Sequence, residues 1–232
     1  MDVCKSNGGL YIKFGQQIST VPVLPKPYEV MRQLYDKAPY FDYQVVEDIF
    51  KKDFGVVPDD VFATFSREPV ASASIAQVHK ATLKDGTPVA VKIQKPAIEK
   101  QIFWDMLGYR GVIFAFEKLF DLPLYWTADY IEKHLKQETD FLNEVSNSER
   151  CYRHIQEMPH LKDRVYVPKN IHELCSKHVM TSEWIDGVNL TDKAAIESMG
   201  LSVPKVMTNV VNVFSDVLKF DIATLSCRIC PL

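Results

Sequence analysis

Ala71-Ser72-Ala73-Ser74-Ile75-Ala76-Gln77-Val78-His79-Lys80-Ala81-Thr82-Leu83-Lys84-Asp85-Gly86-Thr87-Pro88-Val89-Ala90-Val91-Lys92-Ile93-Gln94 is the stretch on which the reading of this chain turns. Two β-rich runs, Ile75–Leu83 and Thr87–Gln94, flank Lys84-Asp85-Gly86, and Asp-Gly between such runs is a strong short-range hairpin signal. Two antiparallel strands are predicted. In the second, the two-residue period sets Val89, Val91 and Ile93 on one face and Ala90 with Lys92 on the other. An ammonium turned inward is costly unless something negative meets it, so this placement asks for a carboxylate, a phosphate or both. A solvent-facing lysine on an edge strand is the competing reading, and the strand alone does not choose between them. The small side chains Ala71, Ser72, Ala73, Ser74 and Ala76 stand where a kinase carries its glycine-rich loop, and small residues let backbone amides approach phosphate oxygens. In isolation the same run reads as a tightly packed turn.

Outward from the hairpin the texture is helical. Tyr28–Ala38 and Tyr43–Phe54 carry apolar residues at three- and four-residue spacing, with Pro22, Pro25, Pro27 and Pro39 as punctuation. Asp53-Phe54-Gly55 reads as a helix end with Gly55 as its stop residue. Downstream, helices are predicted over Gln101–Phe120 and Ala128–Arg150. Two short strands follow, Tyr166–Leu174 and Lys177–Trp184, before a turn at Asp186-Gly187. A last helix over Pro204–Phe220 is amphipathic through Val206, Val210, Val213, Phe214 and Val217. In Ala128–Arg150 an apolar stripe runs through Ile131, Leu135, Leu142 and Val145, and Glu138 falls in its middle. Asp140 and Glu144 sit four apart on the opposite side, so this helix can be held electrostatically from two directions. Acids on long helices are commonly solvated, and the interior placement of Glu138 is what asks for a partner. The class is α+β: an antiparallel sheet plus a long acidic helix.

The 232 residues carry 27 basic and 30 acidic side chains and are 47% apolar, the makeup of a globular chain of one domain or two small ones. A net charge of −3 without basic runs gives no footprint for nucleic acid. No apolar stretch approaches the ~20 residues of a membrane span, and no signal-type segment follows Met1. Five scattered cysteines form no disulfide framework and suit a reducing compartment. Cys227-x-x-Cys230 lacks a second pair, and the six histidines show no ligand spacing, so no metal centre is expected.

Small-residue loop, inward lysine, acidic helix and second hairpin follow the order of parts in a protein-kinase small lobe. More specifically, Lys13-Phe14-Gly15-Gln16 resembles the KxGQ motif, Ala71–Ala76 the alanine-rich loop, and Glu138-Thr139-Asp140 the ExD motif of the AarF/ABC1/UbiB family of atypical kinases. Gly8-Gly9-Leu10-Tyr11-Ile12 and Ala76-Gln77-Val78-His79 add to the likeness, which extends to about Phe220. The chain is most similar to the mitochondrial, fungal-type branch around AarF-domain-containing kinase 1.

The resemblance implies a helical KxGQ extension over 1–66, a small lobe and hinge over 67–187, and the start of a large lobe over 188–232. It implies ATP or ADP as ligand, with Mg in the full-length family, and nucleotide contacts from Ala71, Ser72, Ala73, Ser74, Ala76, Ala90 and Lys92. Ser182 would be the gatekeeper, with Glu183 and Ile185 offering backbone groups to adenine. Lys92 would pair with Glu144. Lys13 would enter the pocket to meet Glu138, with Gln16 nearby and Asp140 completing the acidic set, occluding the place of a protein substrate. Family roles in coenzyme Q and lipid homeostasis come with the likeness, as does mitochondrial residence.

After Phe220 the family continues into an HxDxHPGN-type loop, whereas this chain reads Asp221 to Leu232. A catalytically incomplete chain, truncated before the catalytic loop, is therefore expected. A non-catalytic pseudokinase-type module engaging lipid or quinone-pathway proteins through the extension is the alternative, and a native protein that continues into a complete large lobe is the third reading.

Overall fold

The computed structural model describes residues 2–19, 25, 30, 31, 33, 39–220, 230 and 231. Two short helices, α1 (Asp2–Asn7) and α2 (Gly9–Ser19), open the chain, followed by α3 (Tyr43–Phe54) and α4 (Pro58–Val61). Strands β1 (Phe62–Phe65), β2 (Ala71–Ser72), β3 (Ala76–Leu83) and β4 (Pro88–Gln94) come next, then helices α5 (Ile98–Phe120), α6 (Trp126–Glu138) and α7 (Phe141–Gln156). β5 (Val165–Tyr166), β6 (Val179–Glu183), α8 (Lys193–Ser198), α9 (Val203–Phe220) and β7 (Cys230–Pro231) complete the order. The main sheet runs β1-β3-β4-β6 with β2 also on β3, and every pairing is antiparallel.

The predicted hairpin forms. Val78 pairs with Lys92 and Thr82 with Pro88, and the turn closes through Leu83 N–H to Thr87 O at 2.9 Å. Gly86 holds φ 91°, where a side chain would be strained. The alternation in β4 separates two environments: Val89, Val91 and Ile93 are fully buried, while Ala90 and Lys92 are half-buried on the other face. The buried face packs with Phe62, Phe65 and Val179 against Val46, Ile49 and Phe50 of α3. The Phe50 ring lies 6.0 Å from Phe62 and 6.2 Å from Phe65, edge to face. Gly55 ends α3 as read, and Asp53 accepts from Ser176 Oγ (2.6 Å) and His178 Nδ1 (2.9 Å), tying the helix to the turn before β6. Thus α3 and β1 share one core with the sheet, and the separate helical extension expected over 1–66 is corrected: its last residues form a strand, and α3 belongs to the sheet's own packing layer.

Three sequence readings need correction. The helix expected over Ala128–Arg150 is two helices, broken at Thr139-Asp140. Asp140 is extended (φ −115°, ψ 101°) and caps α7 by accepting the Leu142 N–H at 3.0 Å. Leu142 is consequently half exposed, and Glu138 ends α6 at the surface instead of sitting in a buried stripe. The strand expected over Tyr166–Leu174 is only β5 followed by irregular chain and a 3₁₀ turn at His172–Leu174, since Pro168 offers no N–H to a ladder. In α9, Val206 and Val213 are buried, Val210 is half-buried and Phe214 is exposed.

The helix read at Tyr28–Ala38 falls, except for residues 30, 31 and 33, outside the described residues, as does the tail after Phe220 except for residues 230 and 231. Among the described residues no helix is long and apolar enough to cross a membrane.

Candidate functional site

The half-buried face of β4 forms one wall of a cavity of about 180 Å³. Ala90 and Lys92 meet Val78 of β3, Met180 and Ser182 of β6, Glu144 and Ser148 of α7, and the segment Glu183–Ile185 there. Lys92 Nζ makes an ion pair with the Glu144 carboxylate, the two side chains 19% and 18% exposed. The same nitrogen stands 4.4 Å from the centre of the Phe141 ring. Because α7 starts at Phe141, Glu144 and Ser148 fall one turn apart on the helix face turned to the sheet. The inward lysine therefore has both an acid and an aromatic face to meet it.

At the far wall, β6 presents its outer edge. Glu183 N–H donates to Lys169 O at 2.9 Å, and the N–H and C=O of an extended residue point to the same edge, so Glu183 O is turned that way too. Trp184 N–H turns back to Pro88 O at 3.0 Å. Ile185, the next residue, has no hydrogen-bond partner for its backbone groups among the described residues. The Glu183 carboxylate is engaged elsewhere: it accepts from the Tyr166 hydroxyl and from Lys169 N–H at 3.0 Å. That bond pushes the Tyr166 phenol up to about 12. The loop 166–170 is thereby pinned beside the cavity.

Of the residues singled out from sequence, the structure brings Ala90, Lys92, Glu144, Ser182, Glu183 and Ile185 to this one cavity. Ala71, Ser72, Ala73, Ser74 and Ala76 are not on its wall. Their loop is tied down locally: Ser72 Oγ donates to Pro39 O (2.9 Å), and Ala73 N–H to Ala76 O (2.8 Å). Lys95 Nζ donates to both Pro39 O and Ala73 O at 2.7 Å, and its burial there pulls its pKa down to about 8.

Lys13 of α2 pairs with Glu138 at the end of α6, and neither Lys13 nor Gln16 is among the residues that line the cavity. Asp140 is spent on its cap. The extension is seated on α5, where the Gln101 amide donates to Asn7 O. Gly8 and Gly9 hold φ 69° and 38°, a backbone region that L side chains rarely adopt, which gives the pair a conformational reason.

Sequence reasoning missed Phe141, Ser148, Asn170 and Met180. Ser148 and Met180 could have been found by counting four from Glu144 and two from Ser182, whereas Asn170 arrives on a loop that bridges to Ser182 and has no local signature. Among the described residues no three His, Cys, Asp or Glu side chains converge as a metal site.

Residues 33–222 match the ABC1 atypical kinase-like domain. The chain is 42% identical over 88% of its length to the ABC1 family protein C10F6.14c of Schizosaccharomyces pombe, covering 38% of that protein. It is 32% identical over 94% of its length to AarF domain-containing protein kinase 1 of Gallus gallus, covering 42% of it. It thus spans about two fifths of the length of these curated relatives. Among solved structures it resembles Rv3197 of Mycobacterium tuberculosis, determined with erythromycin, at TM-score 0.56 and 25% identity, over 82% of this chain and 48% of that one. A kinase-like fold, motifs in family order and a match over most of the sequence lead to one conclusion: the chain belongs to the ABC1 atypical kinase-like family.

Proposed function

We propose that the cavity between β4, β6 and α7 binds ATP or ADP. The observation that carries this is the Lys92–Glu144 pair, an ammonium oriented by an acid and an aromatic ring on the wall of a mostly apolar cleft. A lysine so held offers a point charge to phosphate oxygens. Val78, Ala90 and Met180 supply apolar surface for a flat base. Glu183 O as acceptor and Ile185 N–H as donor match the edge of adenine, while Ser182, small at its position, leaves the depth of the cleft open. In this arrangement α1 and α2 serve as the extension, the main sheet with α3 and the hinge at Glu183–Ile185 as the small lobe, and residues 188–232 as the start of a large lobe.

These residues bind the nucleotide. Mg²⁺ would neutralise phosphate charge when bound with the nucleotide, held through the phosphate oxygens, since among the described residues no three His, Cys, Asp or Glu side chains converge as a metal site. Phosphoryl transfer or ATP hydrolysis, in support of coenzyme Q and lipid homeostasis in mitochondria, is proposed for the longer protein of this family rather than for this stretch.

Thermal unfolding with ADP, and with ATP in the presence and absence of Mg²⁺, tests the binding. Nucleotide at about 100 times Kd stabilises the native state by about 2.7 kcal/mol, a rise in Tm of roughly 5–10 °C for a chain of this size. Lys92→Met is expected to abolish the rise, and Ser182→Trp, which fills the cleft without touching the pair, to do the same. No rise with any of these nucleotides overturns the proposal.

A further inference from the structure

A second cavity, of about 430 Å³, lies where α1 and α2 meet α5 and shares no lining residue with the cleft at Lys92. Three aromatic side chains line it: Tyr11 of α2, and Trp104 and Tyr109 of α5. Asp105, half-buried, is the one charged side chain among the described residues of the lining. Trp104, Asp105, Gly108 and Tyr109 share one face of α5 by helical spacing. Nothing stands within 4 Å of where a Cβ on Gly108 would be, so the middle of that face is clear. A glycine there weakens the helix relative to alanine, and open space between the rings is what it leaves.

The rings are held from behind. Tyr109 packs on the buried seam of Ile98, Ile102 and Met106, and its hydroxyl meets Thr127 Oγ1 at 3.3 Å. Trp104 meets Phe103 edge to face, with ring centres 5.3 Å apart. Tyr11 is carried by α2, whose next residue, Ile12, is fully buried, and the junction of α1 with α2 is tied to α5 by the Gln101 amide, which donates to Asn7 O. The aromatic side chains of two separate elements are thereby fixed around one space.

We propose that this cavity binds a small organic cation of the quaternary ammonium class, free in solution. The faces of aromatic rings carry negative potential and attract a cation without asking it to donate hydrogen bonds, and the Asp105 carboxylate adds the opposite charge. A guanidinium or a primary ammonium brings three to five N–H donors that ring faces leave unmet, whereas the methyl groups around a quaternary nitrogen rest on the rings. A phosphate attached to the cation would stand near Asp105 with no Lys or Arg among the described lining residues to meet it, so choline suits the site better than phosphocholine. The volume is of the size that small-ligand sites have.

Ligand-detected NMR titration of the chain with tetramethylammonium and with choline tests this, against dimethylbutanol, the uncharged isostere of choline, and against phosphocholine. Both cations are expected to bind, choline at least about tenfold more tightly than its isostere and more tightly than phosphocholine. Trp104→Leu keeps an apolar side chain but removes a ring face, and is expected to weaken choline at least about fivefold. Gly108→Leu fills the space between the rings and is expected to abolish binding. Trp104 is 67% exposed and a side chain at Gly108 displaces no neighbour, so neither variant is expected to lower Tm. Absence of binding by both cations, an isostere that binds as tightly as choline, phosphocholine binding as tightly as choline, or choline binding that either variant retains in full would each overturn the proposal.

Discussion

The sheet with α3 and the hairpin of α5 with α6 are built from the same kinds of residue and dispose of them in opposite ways. Around α3 the aromatic rings of Phe50, Phe62 and Phe65 turn inward on the buried face of β4, and the nearby ion pair, Lys92–Glu144, is largely shielded. Along α5, Phe103, Trp104, Phe114 and Phe116 turn outward, and the ion pair that ties the extension to this region, Lys13–Glu138, is 32% and 43% exposed. Composition does not separate the two; the presence or absence of a facing layer does. Burial of rings on both sides of one interface makes the sheet a cooperative unit, while the hairpin rests on a single seam and opens at lower cost.

The largest effect that contrast predicts is at Phe50, fully buried and in edge-to-face contact with two other rings. Phe50→Ala removes a side chain that the surrounding layers cannot replace, and is expected to lower stability by about 3–5 kcal/mol. Phe116→Ser, a change of comparable size on the hairpin, is expected to leave the unfolding free energy within about 0.5 kcal/mol of wild type. Urea unfolding of the two variants side by side checks the pair. Equal losses would mean that the hairpin rings are covered in solution and that the two regions do not differ as described.

A smaller effect is written in pH. His79 is fully buried in β3, stacked on Phe65 with ring centres 5.0 Å apart. Its Nδ1 faces Ser66 O at 2.8 Å and must donate there, which leaves Nε2 to accept from Gln77 Nε2 at 2.9 Å. Burial holds its pKa below the usual histidine value. The unfolded chain therefore takes up a proton near pH 6.5 that the native chain refuses until lower pH, so stability falls as pH drops below about 6.5, by at most about 1.4 kcal/mol per pH unit from this group. Urea midpoints measured from pH 7 to 5 should show the decline, and His79→Leu should flatten it while lowering stability at pH 7. An unchanged slope in that variant would place the titration elsewhere.

What was legible in the sequence follows from the range over which each signal acts. The β3–β4 hairpin and the two faces of β4 were readable because Asp-Gly and a two-residue period are local, and so was the stop at Gly55. The break between α6 and α7 was not, because Leu135, Leu142 and Val145 stay in helical phase across it, and only the capping chemistry of Asp140 marks it. β1 escaped notice because a register irregularity between Phe62 and Thr64 spoils its alternation. The partner of Lys92 lies 52 residues away. No spacing rule reaches that far, and the pairing came from the order of family motifs. Outward and inward aromatics look alike in sequence, since helical spacing reports which residues share a face but not whether another layer covers it.

The smallest predicted effect concerns the link between the regions. Glu138→Lys sets a second cation beside Lys13, and Lys13→Glu sets a second anion beside Glu138; the double exchange restores opposite charges at the same two positions. For a pair this exposed, the coupling free energy from the cycle is expected to stay below about 1 kcal/mol. Its distribution is more informative than its size. If α2 is fastened to the hairpin and not to the sheet, the single exchanges should speed hydrogen exchange at α2 amides and leave those of β3 and β4 unchanged, with the double exchange restoring protection. Additive singles would show that the two side chains do not interact in solution. Loss of protection spreading into β4 would show the opposite excess: the polar bridge at Gln94 Nε2, which donates to Thr139 O at 2.6 Å one residue from Glu138, would then join extension, hairpin and sheet into one cooperative body.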